Sequence, residues 1–460
     1  MAPVDDGGSL RVPRRRVEVY SGARTTTHTV KWSVAGRRWR VPYKTAALAD
    51  AFRSELLVAA RRGEAFSLDT GRPMSMDRSE RRVGWLAFAR DYAAMKWPHL
   101  APNSRRNTAR ALTNATFALI TSERGRPDDA TLRKALTAWA FNVRASTNTA
   151  PPEPIARALA WLERNTREVG DLAEPAVVRA VLDALTVRGD GGRAAPASIA
   201  RQRGVVVNLG EYAVERRLLT RNPVTAIAWK IPRTVKTVDK RAVVNTVQAR
   251  ALLSAVGSQK PSGPGLVAFF GLLYYAALRP GEAVTLRAAD LQLPDEGWGE
   301  LLLTGSTPEA GASWTDNGRR REERELKHRA RGETRSVPSP PPLTVLLRAH
   351  LAEHGTTPDG RLFRGVRGGD LPEGTYCRVW RKARASALTE SEAASPLAQR
   401  PYDLRHAAVS TWLNAGVPST QVAEWAGHSV AVLHQIYAKC IVGQEDAARQ
   451  RIADALGATP

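Results

Sequence analysis

The 460 residues are 43% hydrophobic and 25% charged, the make-up of folded domains rather than of a disordered chain, and too many for one hydrophobic core. Sixty-eight Lys and Arg against 45 Asp and Glu leave a net charge of +23, which favours a polyanionic partner through release of condensed counterions. Two cysteines, Cys377 and Cys440, exclude a disulfide framework or a cysteine zinc site; MAPVDDGGSL lacks a signal-peptide pattern, and the longest apolar run, Leu266 to Leu278, falls short of the roughly 20 residues that span a bilayer. A cytoplasmic, nucleoid-associated protein with no membrane contact is the expectation.

Residues 1–16 read as a flexible lead. Over 17–67 a small β3α unit is expected: strands VEVY, THTVKWSV and RRWRVPY, a turn at Ala35-Gly36, then a helix from an N-cap at Thr45 to Arg62. The helix is expected to pack through Ala47, Leu48, Ala51, Phe52, Leu56 and Ala59. Arg24, Lys31, Arg37, Arg38 and Arg40 lie on or near the strands, where they either meet a DNA groove or are simply solvated.

Residues 68–79 read as a linker. A helical domain is expected over 80–230, with helices at 83–96, 104–122, 131–145, 152–168, 175–185 and 198–219 separated by Gly- and Pro-rich breaks. The net positive charge is largest in the middle third: residues 78–245 hold 29 basic and 15 acidic side chains, against 14 and 8 before and 25 and 22 after. An Arg-favouring GC-rich genome is the competing account of that excess. Residues 231–245, with Lys236 and Lys240, read as a basic linker that lies on a phosphate backbone or serves as an ordinary hinge. From 246 to 460 a mainly helical domain follows, with strands near 301–303 and 334–337 around a long Gly- and Arg-rich excursion.

Three segments of this last domain hold chemistry. AALRPGEAVTLRAADL sets Arg279 at the end of an apolar helix, with Pro280-Gly281 as a turn and Glu282 as a brace. PYDLRHAAVSTWLNAGV sets Arg405 at the start of an amphipathic helix, whose N-terminus also favours an anion. EWAGHSVAVLHQIYAK sets His428 just past a helix ending at Gly427, with Tyr437 nine residues on. Breaking and rejoining a phosphodiester needs a nucleophile such as a phenol that bonds to phosphorus, cations on the non-bridging oxygens, and an acid that protonates the departing 5′ oxygen.

In that order and spacing the three segments resemble the signature of the tyrosine recombinases, the phage-type integrase family. The likeness is strong over 246–441, moderate over 83–230, which resembles the family's core-binding domain, and weaker over 17–66, which looks like an arm-type DNA-binding module. The resemblance implies a mainly α fold with small β elements and a site-specific recombinase that integrates or excises a mobile element. In it Tyr437 forms a 3′-phosphotyrosine bond, Arg279 and Arg405 clamp the phosphate, and His428 assists. The family's catalytic Lys sits on a β-hairpin between the two Arg segments, where Lys327 is the candidate, although a Lys in such a charged run is also an ordinary solvated side chain. Where the family carries His three residues before the second Arg, this chain has Tyr402, which donates a hydrogen bond but carries protons poorly near neutral pH. His406 is expected to pack inward, without a role. Neither cofactor nor metal is implied.

The implied partners are duplex attachment sites, with assembly as a homo-tetramer on DNA and accessory bending or excision proteins. The tail IVGQEDAARQRIADAL docks on a neighbouring protomer or on its own domain. A type IB-like topoisomerase and a catalytically inactive DNA-binding regulator of the same fold remain as alternatives at this point.

Overall fold

The computed structural model describes residues 17–21, 26–76, 83–230, 232–233, 237–327, 329–330, 332–438, 440 and 445–456. It separates into two units, Met1–Leu100 with Asn107–Pro232, and Ala101–Arg106 with Arg233–Pro460. Most regular structure in both is helical, with one three-stranded sheet in each.

In the first unit, β1 (Glu18–Ser21), β2 (Thr26–Val34) and β3 (Arg37–Tyr43) form an antiparallel sheet in that order. Ala35 and Gly36 both have positive φ, 47° and 79°, the backbone that a two-residue hairpin turn demands. Strand alternation sorts the faces: Val30, Trp32 and Val34 are buried, whereas Lys31 stands opposite Arg40 and Ser33 opposite Arg38 on the other side. Helix α1 (Ala46–Arg61) starts as expected at Thr45, whose hydroxyl accepts the Leu48 amide at 3.3 Å. Its buried stripe is Ala49, Leu56 and Ala59, with Phe52 edge-on to Trp32 at 5.4 Å. Ala47, Leu48 and Ala51, expected inside, are exposed. Apolar residues lie on more than one side of this helix, and packing on the sheet selects the 49/52/56/59 spacing.

The first part of the expected 68–79 linker is packed. Phe66 bridges Pro73, the Trp32 indole donates to the Gly71 carbonyl, and Met76 lies against the sheet's core. Gly71 has φ +67°, and a Cβ there would fall 2.3 Å from the Trp39 ring, so neither the backbone nor the space admits another residue.

Seven helices follow in this part of the chain: α2 (Trp85–Lys96), α3 (Pro102–Ala118), α4 (Asp129–Ala135), α5 (Val143–Asn148), α6 (Glu153–Arg164), α7 (Pro175–Ala184) and α8 (Pro196–Glu215). The helix expected over 131–145 is interrupted: α4 runs into a wide turn at Leu136–Ala140, and the Asn142 side chain caps a new helix by accepting the Ala145 amide at 3.1 Å. A short helix, α9 (Pro223–Ala226), closes the unit.

The second unit is built on α11 (Val267–Tyr275), which follows α10 (Thr246–Gly257) and buries Ala268 to Tyr274 without a break. Around it lie α12 (Pro280–Thr285), the antiparallel sheet β4 (Leu291–Gln292), β5 (Gly299–Leu303) and β6 (Arg335–Ser339), then α13 (Pro341–His354), α14 (Glu373–Ala387), α15 (Glu390–Ala394), α16 (Tyr402–Asn414), α17 (Ser419–Ala426), α18 (Val430–Tyr437) and α19 (Glu445–Ala455). The excursion between β5 and β6 is folded: Ser306 bridges Arg324, Glu309 bridges Arg321, and Trp314 and Leu326 are buried.

Part of the expected basic linker also belongs to this unit. Val238 is buried beside Tyr437, and its amide donates to the Ile436 carbonyl at 2.9 Å. Lys240 is exposed on a turn at Lys240–Ala242; Lys236 and Arg24 lie outside the described residues. None of the helices is long and apolar enough to cross a membrane, among the described residues.

Candidate active site

The site begins where α11 stops. Ala277 adopts φ 52°, a left-handed conformation that costs a non-glycine residue about 1 kcal/mol or more. It is fully buried, and its carbonyl accepts Nη1 of Arg405. Two residues later Arg279 is the N-cap of α12 rather than the end of the apolar helix.

Glu282, in the first turn of α12, ties this corner together. Its Oε2 accepts the Arg279 amide at 2.8 Å, and its Oε1 accepts Arg279 Nη1 at 2.7 Å. The same Oε2 accepts Nη2 of Arg335 at 2.8 Å. Glu282 and Arg335 each leave only 1% of their side chains exposed. Burial alone would raise the carboxyl pKa, but the positive charges of Arg335, Arg279 and Arg405 outweigh it and pull the value down to about 2. The expected brace for Arg279 is therefore present, and it serves a second arginine as well.

Gly427 explains why a glycine precedes His428. It ends α17 at φ +62°, its carbonyl accepts Arg279 Nη2 at 2.7 Å, and a Cβ would lie 2.1 Å from Arg335 Nη1 and 3.2 Å from Arg279 Nη1. No side chain fits between the two guanidinium groups.

Arg405, in the first turn of α16, has no exposed surface. Besides the Ala277 carbonyl it donates through Nη2 to the Ala426 carbonyl and to His428 Nε2, the latter at 2.7 Å. Since the guanidinium only donates, His428 Nε2 accepts and its proton resides on Nδ1. Burial, then the neighbouring Arg405 and Arg279, push the His428 pKa down to about 3, consistent with a neutral ring. His428 Nδ1, Arg405 Nε and Arg335 Nε are buried and have no hydrogen-bond partner among the described residues.

Tyr437 closes α18 with its side chain fully buried. Its hydroxyl lies 2.9 Å from His406 Nδ1, and burial raises the phenol pKa above its ordinary value. The Tyr402 ring meets His406 edge-on at 5.1 Å, and the Arg405 guanidinium is 6.0 Å from the Tyr402 ring.

Arg279, Arg405, His428, Tyr402 and Tyr437 thus come from four helical segments into one connected cluster. Lys327 does not join it through any hydrogen bond or ion pair; it is exposed in the β5–β6 excursion, directly after buried Leu326. Arg38 and Arg40 are exposed on β3, and Arg37 lies over the Trp39 ring at 4.5 Å and donates to the Leu68 carbonyl at 3.4 Å. Arg335 and His406 were not among the expected site residues. Arg335 was nonetheless legible: it has the same strand parity as Val337, which is buried in the core, so both face inward. Among the described residues no group of three or more His, Cys, Asp or Glu is placed to hold a metal ion.

A mainly helical fold with such a cluster fits an enzyme that cuts and rejoins DNA, the class to which the chain's relatives belong. Residues 243–441 match the model of the phage integrase family. The tyrosine recombinase XerC of Mesorhizobium japonicum is 31% identical over 280 residues, covering 58% of this chain and 76% of that protein. XerC of Nitrobacter winogradskyi is 26% identical over 287 residues, covering 60% and 76%. Among solved structures, the Tn1549 transposon integrase in complex with transposon right end DNA aligns with a TM-score of 0.48 at 15% identity, covering 70% of this chain and 98% of that one. The chain belongs to the phage integrase family, the tyrosine recombinases.

Proposed function

We propose that this recombinase breaks one DNA strand at a time by attack of Tyr437 on a phosphorus held between Arg279 and Arg405, forming a 3′-phosphotyrosine bond and releasing a 5′ hydroxyl. One observation carries the reading: two guanidinium groups from distant segments are held by the consecutive carbonyls of Ala426 and Gly427, and the buried Tyr437 hydroxyl lies 2.9 Å from His406, the residue after Arg405. Fixed cations stabilise the phosphorane-like transition state, whose non-bridging oxygens gain charge, more than they stabilise the ground state. Arg405 Nε and His428 Nδ1 are buried donors without an acceptor among the described residues, and a phosphate oxygen would satisfy such groups. Lys327 is assigned as the acid that protonates the departing 5′ oxygen; the supporting fact is its place in the excursion between β5 and β6. Tyr402 donates to the phosphate in place of a histidine.

The DNA is duplex, read by both units. In the first unit a cleft lined by Arg110, Arg133, Arg193 and an Arg188–Asp190 ion pair carries a net positive charge, and Lys31, Arg38 and Arg40 share one face of the small sheet, a shape suited to a groove. Lys236 and Lys240 of the 231–245 segment add phosphate contacts. Assembly is a tetramer on paired attachment sites, as integration or excision of a mobile element requires. Ile452 and Leu456, one turn apart on α19 and its end, are largely exposed, leaving an apolar pair for a neighbouring protomer.

The test uses nicked suicide duplexes drawn from DNA flanking the coding region. The wild-type chain is expected to give an SDS-resistant adduct that Tyr437→Phe abolishes. Adduct and relaxation without exchange between paired sites would favour a topoisomerase; no adduct on any such site would favour a DNA-binding regulator.

A further inference from the structure

Among the described residues His406 is the hydrogen-bond partner of the candidate nucleophile's hydroxyl, and the reading above leaves it without a task. We propose that His406 accepts the Tyr437 proton through Nδ1 during cleavage and returns it on rejoining; this rests on Tyr437 being the nucleophile.

The geometry selects it. His406 Nδ1 is 2.9 Å from the Tyr437 hydroxyl, with the ring centroids 5.6 Å apart. The other nitrogen bases and phenols of the cluster are unsuited. His428 Nε2 already accepts from Arg405 and its Nδ1 carries a proton; Arg279, Arg335 and Arg405 are permanent cations. Tyr402 is a phenol like Tyr437 and offers no basic nitrogen to take its proton. Among the described residues, the lone pair on Nδ1 of His406, with the ring proton on Nε2, is therefore the one placed to take the phenol proton.

Its surroundings keep that lone pair available. His406 projects from α16 beside Asp403, Arg400, Arg405 and Tyr402, and faces Tyr437 of α18 with His428 nearby. Burial, opposed by Asp403 and helped by Arg405 and Arg400, pushes the imidazole pKa down to about 4, so the ring is neutral at physiological pH and able to accept. A bound phosphodiester brings a negative charge to the same cluster, which favours the imidazolium as the proton arrives.

The step balances as follows. The Tyr437 oxygen forms its bond to phosphorus, the phosphorus–O5′ bond breaks, the phenol proton passes to His406 Nδ1, and the departing 5′ oxygen takes a proton from Lys327. On rejoining, the 5′ hydroxyl attacks, its proton goes back to Lys327, and the His406 imidazolium reprotonates the phenol.

The experiment measures single-turnover adduct formation by the full chain on a nicked suicide duplex. His406→Ala removes the base; His406→Asn leaves an amide oxygen able to hold the phenol but not to take its proton. Both are expected to slow the adduct about 100-fold while thermal unfolding and duplex affinity stay at wild-type values. Replacing Tyr437 by a fluorinated tyrosine that ionises near neutral pH should then bring His406→Asn to within a few-fold of the unsubstituted chain. A duplex with a bridging 5′ sulfur, which leaves without a proton, should leave the His406 variants slow. A wild-type rate for His406→Asn, no gain from fluorination, or rescue by the sulfur duplex would each overturn the assignment. An adduct that survives Tyr437→Phe would instead bring down the reading of the site itself.

Discussion

Glu282→Gln isolates the electrostatic core of the site. The substitution keeps the shape of a side chain that is 1% exposed and removes the charge that balances Arg335, also 1% exposed, and Arg279, 18% exposed. Stripping one partner from a buried pair costs about 3–5 kcal/mol, because the remaining charge stays buried and uncompensated. A second route gives a similar size: the fall of the carboxyl from 4.5 to about 2 corresponds to about 3 kcal/mol of folding stability. Because the folded value is the depressed one, this stabilisation is fully present above about pH 4.5 and is lost as pH falls through about 2. Hydrogen exchange of the full chain, read in peptides covering α11 and β6, separates this unit from the first. Protection there is expected to fall by about two to three orders of magnitude at pH 7, with the gap between variant and wild type closing toward acid pH. A loss below tenfold would refute the reasoning, since it would mean the two guanidinium groups find other acceptors without cost.

Gly427→Ala places a methyl 2.1 Å from Arg335 Nη1 on a φ of +62°; it should destabilise the second unit by about 1–2 kcal/mol and lower adduct yield, and a wild-type melting profile would contradict the packing. Arg110→Ala with Arg193→Ala should flatten the dependence of duplex affinity on salt by about 0.9 log units per log unit of salt for each phosphate no longer neutralised; an unchanged slope would move the DNA to another face of the first unit. Arg38→Ala and Arg40→Ala should each lower the slope similarly, and no change would make that sheet face merely solvated.

Most of the fold was legible in the sequence because the signals that set its elements are local. The Ala35-Gly36 turn, the Thr45 cap and the glycine and proline breaks act over a few residues, and the structure places elements at each. Misreadings arose where tertiary packing decides. Ala47, Leu48 and Ala51 compose a credible helix stripe, but the sheet meets the neighbouring stripe; the stretch 68–76 reads as a turn-rich linker, yet Trp32 and Trp39 hold it through Gly71. Asn142 looks like an ordinary helical residue until its side chain is seen to start a helix.

At the site, the arginines, the histidine after glycine and the tyrosine stood out because each sits in a distinctive short segment. Arg335 was hidden in a run of charged residues, and only strand parity separated it from its solvated neighbours. The use of His406 was not legible from its own segment: the residue that faces it, Tyr437, lies 31 positions away. Lys327 stays an assignment by position, since no hydrogen bond or ion pair ties it to the cluster.

The most direct measurement digests the trapped covalent complex with nuclease and protease and locates the nucleotide by mass spectrometry. The peptide containing Tyr437 should carry a phosphate joined to the 3′ end of the cut strand. A nucleotide on any other residue, or one joined through its 5′ end, would contradict the assignment of Tyr437 as the nucleophile.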